Sequence, residues 1–197
     1  PLRSTITTLY GIGTAGAAGD GGPASLSQAW APQIMLEDSE GLLIVERNGH
    51  RIRRIFSNLT VATFAGSSAG TSGYSGDGGP ARSALLSFPG GIVADYDGGF
   101  IVSDSSNNAL RRIHRNGSIS TIAGGSGLGS TGDGGNSRFA KLRGPEMMRQ
   151  DGVGGWFVND RNNDVIRRLL PMRLCTTGML AGCSTTSPGR LLCSITG

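Results

Sequence analysis

Gly76-Asp77-Gly78-Gly79 occurs three times in the chain, with sister copies at Gly19-Asp20-Gly21-Gly22 and Gly132-Asp133-Gly134-Gly135. The intervals are 57 and 56 residues, and a fixed period of that size is the mark of a repeat architecture. The surrounding landmarks keep step. A proline follows each copy (Pro32, Pro89, Pro145), then an apolar run closed by valine: Leu43-Ile44-Val45, Phe100-Ile101-Val102 and Trp156-Phe157-Val158. Next comes an arginine doublet with an aliphatic: Arg53-Arg54-Ile55, Arg111-Arg112-Ile113 and Arg167-Arg168-Leu169. A Thr-bearing apolar run ends the unit, as Val61-Ala62-Thr63-Phe64-Ala65-Gly66 and Ile119-Ser120-Thr121-Ile122-Ala123-Gly124, with Ile6-Thr7-Thr8-Leu9 as a shorter copy.

The 197 residues are enough for one sizeable core. Glycine accounts for 34 of them, clustered between the repeats, which signals tight turns rather than collagen or a disordered tract. Charged residues make up 16 %, too few for charge-driven disorder. The net charge of +4 is spread along the chain, with no basic block of the kind that forms a nucleic-acid tail. No apolar run approaches the ~18 residues of a membrane helix. The chain opens on Pro1 without a basic-plus-apolar leader, so a processed chain or a fragment is expected. Cys175, Cys183 and Cys193 all fall near the C-terminus at spacings that match no zinc signature. Ordinary thiols, or one disulfide with one thiol left over, are both open readings; the second would fit an oxidising compartment.

The second unit shows how the repeat folds. Residues 91–95 read as a strand, 96–99 as a turn with Gly at positive φ, and 100–103 as a second strand. After a turn at 105–108, residues 109–114 and 118–123 read as third and fourth strands. Asn116-Gly117 between them predicts a type I′ hairpin. Four antiparallel strands in chain order make a propeller blade. A blade takes ~40–45 residues, and the surplus here is the Gly-rich stretch 66–88. That places the Gly-Asp-Gly-Gly loop on the inter-blade crossing, at one rim of the disc.

The run Tyr74-Ser75-Gly76-Asp77-Gly78-Gly79-Pro80-Ala81, followed by Ile101-Val102-Ser103-Asp104, Asn107-Asn108-Ala109-Leu110-Arg111-Arg112-Ile113 and residues 119–124, resembles NHL-repeat β-propellers. The likeness is to the long-repeat form of teneurin-type and many bacterial and algal NHL proteins, and it covers residues 4–173. It implies an all-β NHL-type propeller segment of three four-stranded blades, with repeats at about 4–60, 61–118 and 119–173. A Cys-bearing tail, 174–197, follows, with a degenerate outer strand at 176–182. The first copy departs from the pattern, having Glu46-Arg47 where the others have Asp104 and Asp160 and one residue fewer before His50. The third is degenerate around residues 146–150. Propellers close with ~4–8 blades, so three do not make a ring. The missing blades are expected from the same longer chain, or else from a second copy.

Asp20, Asp77 and Asp133 are the candidate ligand-binding residues of the rim loops, since consecutive N–H groups can form a nest and Asp can ligate calcium. One carboxylate per loop is too few for a hard cation, and turn capping is the competing role. In a strand, neighbouring side chains point to opposite faces. One arginine of each doublet is therefore expected to pair with Asp104 or Asp160, while Arg53, Arg111 and Arg167 are the candidates for a basic face able to hold phosphates. His50 and His114 are not at equivalent positions and cannot build a metal ring. Asp95-Tyr96-Asp97-Gly98 lacks the ligands that should complete a calcium loop. No catalytic set, metal site or cofactor is predicted. Asn58 and Asn116 stand in Asn-x-Ser/Thr sequons before the fourth strand, either as glycan acceptors or as simple turn residues.

The function expected is a non-catalytic recognition scaffold that binds a protein or small ligand through rim loops. The rival readings are a lyase- or lactonase-like enzyme with a channel metal, and an RNA-binding surface, for which aromatic interleaving is thin. The compartment leans extracellular or cell-surface.

Overall fold

The computed structural model describes residues 4–170 and the backbone of two short strands beyond them. β1 (Pro32–Asp38), β2 (Gly41–Glu46), β3 (Arg51–Phe56) and β4 (Val61–Gly66) form an antiparallel sheet in chain order. β5 (Gly91–Ala94), β6 (Phe100–Asp104), β7 (Ala109–Ile113) and β8 (Ile119–Gly124) form a second. β9 (Pro145–Gln150), β10 (Trp156–Asp160) and β11 (Val165–Leu169) form a third, of which three strands are described. β12 (Cys183–Thr185) and β13 (Leu191–Cys193) pair antiparallel, with Cys183 opposite Cys193. The outer strand expected at 176–182, and Cys175, lie outside the described residues.

The sheets stack face to face, with β1, β5 and β9 adjoining along the inner edge. Leu43, Val45, Ile52 and Ala65 of the first sheet meet Ile92, Val102, Ile113 and Ile119 of the second across one core. Val93, Ile101, Leu110 and Ala123 meet Leu142, Trp156 and Val158 across the next. The middle sheet is thus covered on both faces, which explains why its strands read as unbroken apolar runs rather than alternating ones.

Strand pairing corrects the alignment of the first unit. Ile44 lies opposite Arg53, as Val102 lies opposite Arg111 and Val158 opposite Arg167. Val45 therefore holds the place of Ser103, not of Val102. The residue missing from the first copy is lost in the β1–β2 turn, where Ser39-Glu40 does the work of Tyr96-Asp97-Gly98.

The Asn116-Gly117 hairpin is also not type I′. Gly117 alone of the two has positive φ (78°), its N–H reaches the His114 carbonyl, and His114 N–H reaches Ser118. This is a three-residue loop with a left-handed final residue. The equivalent in the first blade is Leu59, at φ 62°.

Two further left-handed positions recur in every blade without requiring glycine. Ala31, Phe88 and Gly144 precede the inner strand; His50, Asn108 and Asp164 precede the third. They form a staple between blades. Phe88 N–H donates to His50 Nδ1 at 3.1 Å, and Gly144 N–H donates to Asn108 Oδ1 at 2.9 Å.

The Gly-Asp-Gly-Gly segment does more than cross between blades. It travels out to the outer strand of the blade that follows it and pairs there as a fifth edge: Gly78 N–H donates to Ile119 O, Ile119 N–H to Gly79 O, and Ala81 N–H to Gly117 O. Residues 21–24 repeat these bonds on Val61 and Leu59. The short turn Ala81–Ser83 then packs against β4 of the preceding blade. This detour accounts for the long period, and it covers an outer strand that would otherwise expose its unpaired edge. The first glycine of the motif is forced by contact, because a Cβ on Gly76 would sit 2.6 Å from Ala84 Cβ.

Candidate functional site

Both arginines of each doublet are ion-paired, on opposite faces of their strand. Arg53 meets Asp20 through Nε at 2.9 Å and through Nη2. Arg111 meets Asp77 at 2.8 Å and Asp104 at 3.2 Å, and Arg167 meets Asp133 at 2.5 Å and Asp160 at 3.6 Å. The second arginines, Arg54, Arg112 and Arg168, pair with Asp38, Asp95 and Asp151 at the end of the inner strand or just beyond it. Asp97 and Asp95, the residues with a calcium-loop look, both serve Arg112. The Arg53 and Arg111 side chains are 0 % exposed. Two of the three arginines proposed for a basic face therefore cannot offer one: a strand interior flanked by carboxylates encloses them.

Two of the three rim aspartates, Asp20 and Asp77, are latched inwards as well, whereas the Asp133 side chain is 84 % exposed. β4 and β8 each carry a bulge beside the doublet, between Ile52 and Arg53 and between Leu110 and Arg111 on the partner strand. A bulge leaves an N–H without its ladder partner. Asp20 takes that of Thr63 (3.1 Å) together with its hydroxyl (2.6 Å), and Asp77 takes those of Thr121 (3.0 and 3.2 Å). Burial alone would raise these carboxyls, but the Thr and Arg donors outweigh it and hold both below the usual Asp value.

The acid at the end of the second strand is buried in every blade. Asp104 accepts from Ser87 N–H (2.7 Å) and Asn107 (2.8 Å), and Asp160 accepts from Arg143 N–H (2.7 Å) and Asn163 (2.8 Å). Burial dominates at Asp104, lifting it to about 6 despite Asn107, Ser87 and Arg111. In the first blade Glu46 accepts from Trp30 N–H (2.8 Å), Tyr10 OH (2.5 Å) and Arg51 Nε (2.5 Å). His114 bonds Ser120 at 2.8 Å. Asn58 and Asn116 accept from the backbone and hydroxyl of Thr60 and Ser118, as turn residues do.

These networks hold the scaffold and consume its charges. Free polar chemistry gathers elsewhere, in a cleft of about 240 Å³ where the inner strands begin and the second strands end. Three blades contribute to it. Arg47 follows β2, Ser105, Ser106 and Asn108 follow β6, and Arg161 and Asn162 follow β10; Arg143, Gly144 and Glu146 lie at the start of β9. Glu146 Oε1 sits 2.8 Å from Arg161 Nη1 and 3.3 Å from Arg47 Nη1, which ties the first blade to the third across the second. Sequence reasoning named none of these as site residues. It did mark Glu46-Arg47 and residues 146–150 as the places where the repeat breaks. Among the described residues, no cluster of His, Cys, Asp and Glu could hold a metal ion.

No family model and no curated protein matches the chain. Solved structures do. A protein of unknown function from Bacteroides thetaiotaomicron matches at 25 % identity and TM-score 0.58, over 66 % of this chain and 32 % of its own. An auxiliary nutrient binding protein from the same organism matches at 20 % identity and TM-score 0.56, over 73 % and 38 %. A catalytically inactive virginiamycin B lyase from Staphylococcus aureus, solved with quinupristin, matches at 15 % and TM-score 0.50, over 74 % and 40 %. The fold is a partial β-propeller. The chain spans between about a third and two fifths of the length of these relatives.

Proposed function

We propose that the chain is a segment of an NHL-type propeller that serves as a non-catalytic binding scaffold and recognises a small ligand at the three-blade cleft. The carrying observation is the convergence of turn residues from three blades on one depression, with Arg47, Arg161 and Glu146 meeting across it. Loops on a rigid scaffold are where binding residues gather. This moves the site to the axial end, away from Asp20 and Asp77, whose oxygens are taken by Arg and Thr, and from Asp133, which stands exposed beside Arg167. Auxiliary nutrient binding is a use to which the fold is put in one of its structural relatives, and a surface or secreted location suits such a role.

Further blades from the same longer chain would close the ring. Ile101 and Leu110 are each 1 % exposed beneath the third blade, whereas Phe157 and Ile166, at the same positions one blade on, are 44 % and 67 % exposed. Among the described residues, the far face thus repeats an interface that is left open at these two positions. The RNA reading loses its motive with Arg53 and Arg111 buried.

Calorimetric screening of small polar molecules tests the cleft. A binder lost on Ser106→Trp, which fills the cleft from an exposed turn, is the expected outcome. Turnover of a bound molecule, or binders indifferent to that substitution, would sink the reading.

A further inference from the structure

We infer that the cleft is a carboxylate receptor in which Glu146 stands in for the carboxylate of an absent ligand. The inference rests on the cleft being a binding site. Its charges do not balance: Arg47, Arg143 and Arg161 line it against Glu146 alone. Elsewhere the arginines of the doublets are matched to acids, and Arg112 even faces two. Both guanidinium groups at Glu146 use one Nη1 and converge on the same oxygen, Oε1. A guanidinium has five N–H donors in a fixed fork, suited to bidentate carboxylate contacts. Neither Arg47 nor Arg161 spends its other donors on an acid among the described residues. Arg143 gives its backbone N–H to Asp160, and its exposed side chain forms no ion pair there.

The geometry of an arginine pair around a carboxylate is therefore already built, from two blades that do not otherwise share a sheet. Ser105, Ser106, Asn108 and Asn162 line the remainder together with Leu128 and Gly144, and supply polar groups for the rest of a small molecule. Ser105 and Asn108 are committed, the first to Pro145 O at 2.5 Å and the second to Gly144 N–H. That leaves Ser106 and Asn162, with the arginines, to face a ligand. A volume of about 240 Å³ lies below the range of drug-sized pockets. It fits a short di- or tricarboxylate rather than a nucleotide.

Titration calorimetry with succinate, inorganic phosphate and the neutral diamide of succinate provides the test. Glu146→Gln removes the internal competitor and is expected to bind succinate about tenfold more tightly than the parent, from one charge-assisted contact. Arg161→Ala and Arg47→Ala should each weaken binding by about tenfold or more, and added salt should weaken it throughout. Arg161 is largely exposed, so its variant is expected to fold, and circular dichroism checks this. No gain in Glu146→Gln, indifference to the arginine variants, or preference for phosphate over succinate would overturn the carboxylate assignment. Binding of the diamide that Ser106→Trp abolishes would keep the cleft as a site while rejecting its anionic ligand. No binding of any probe, to the parent or to Glu146→Gln, would count against both.

Discussion

Glu46 and Arg51 do in the first blade what Asp104 and Asn107 do in the second. Asn107 Nδ2 joins its acid to the Gly73 carbonyl at 2.7 Å, and Asn163 joins Asp160 to Gly129 at 2.6 Å. In the first blade Arg51 joins Glu46 to the carbonyls of Ala17 (2.9 Å) and Ser68 (2.8 Å), with Gly16 at 3.4 Å. Gly16, Gly73 and Gly129 are equivalent positions one period apart. The longer acid and the arginine are thus one substitution made in two places. Both are fully buried, so removing one strands the other, at a cost of about 3–5 kcal/mol. Arg51→Ala should lower the unfolding free energy by that amount in urea denaturation. The combination Glu46→Asp, Gly49→Asn and Arg51→Ala, which rebuilds the second blade's solution, should recover most of the loss. A second residue-scale case is Leu59, exposed and held at positive φ where the second blade has Gly117. Leu59→Gly should stabilise by about 1 kcal/mol, read as a rise in melting temperature, because glycine adopts that conformation without a Cβ clash.

At the scale of the element, the Asp latch couples the edge segment to the bulged outer strand, and its strength should follow burial and donor number. The Asp77 carboxylate accepts from Thr121 N–H, Thr121 Oγ1 and Arg111, whose side chain is buried. Asp133 meets Arg167 with its own side chain 84 % exposed. Asp77→Ala is therefore expected to cost about 1–3 kcal/mol, through the orphaned Thr121 N–H and the loss of one of the two acids that meet the buried Arg111, which keeps Asp104. Asp133→Ala should cost less than about 1 kcal/mol, as exposed pairs do. Chemical denaturation of the two variants tests that order.

The pH dependence carries two opposite signs. Asp20 and Asp77 sit below their unfolded value of 3.8, and Asp151 is lowered to about 2; burial opposes this shift, but the Val153 and Gly155 N–H groups and Arg168 outweigh it. Their contribution is complete above about pH 4 and is lost as acid protonates the folded carboxylates. Asp104, raised to about 6, contributes most below its unfolded value and loses that contribution as pH rises through 6. Stability should accordingly hold level or rise from pH 6 to 4 and fall steeply below 4; a monotonic fall beginning near pH 6 would contradict the assignment.

The strands, their order and the period were legible because a propeller blade writes its turns and apolar runs in every copy. Much of what escaped reading was backbone geometry that glycine did not flag. Phe88 and His50 adopt left-handed backbone where a blade-to-blade hydrogen bond joins them, a tertiary cause with no local signature. The one-residue slip in β2 hid behind Leu43-Ile44-Val45, which reads the same shifted by one. The cleft was invisible for a different reason. Arg47, Ser105 and Arg161 hold one repeat position, so the arginine pair skips the middle blade, and Glu146 stands where the second blade has Gly90; the only trace was that the repeat broke at Arg47 and Glu146, and departures of that kind are expected at functional sites.

At the scale of the molecule, the two ends of the stack are unequal. Ala24, Ile44, Ile55 and Val61 on the near face are buried, with Tyr10 and Leu42 packed against them. The far face leaves Phe157 and Ile166 open, in the places where Ile101 and Leu110 seal the preceding blade. Burying a large apolar side chain contributes about 1.5–3 kcal/mol, so two aligned on one flat sheet face favour association. The isolated chain is expected to self-associate through that face, with a sedimentation coefficient that rises with concentration. Phe157→Lys with Ile166→Glu should abolish the rise while changing unfolding free energy by less than about 0.5 kcal/mol, as surface substitutions do. Leu110→Glu, the same chemistry one blade earlier, should prevent folding, because it buries an unpaired charge between two sheets. A parent chain that stays monomeric at high concentration, or a double variant that associates equally, would mean that the face is not an interface awaiting its next blade.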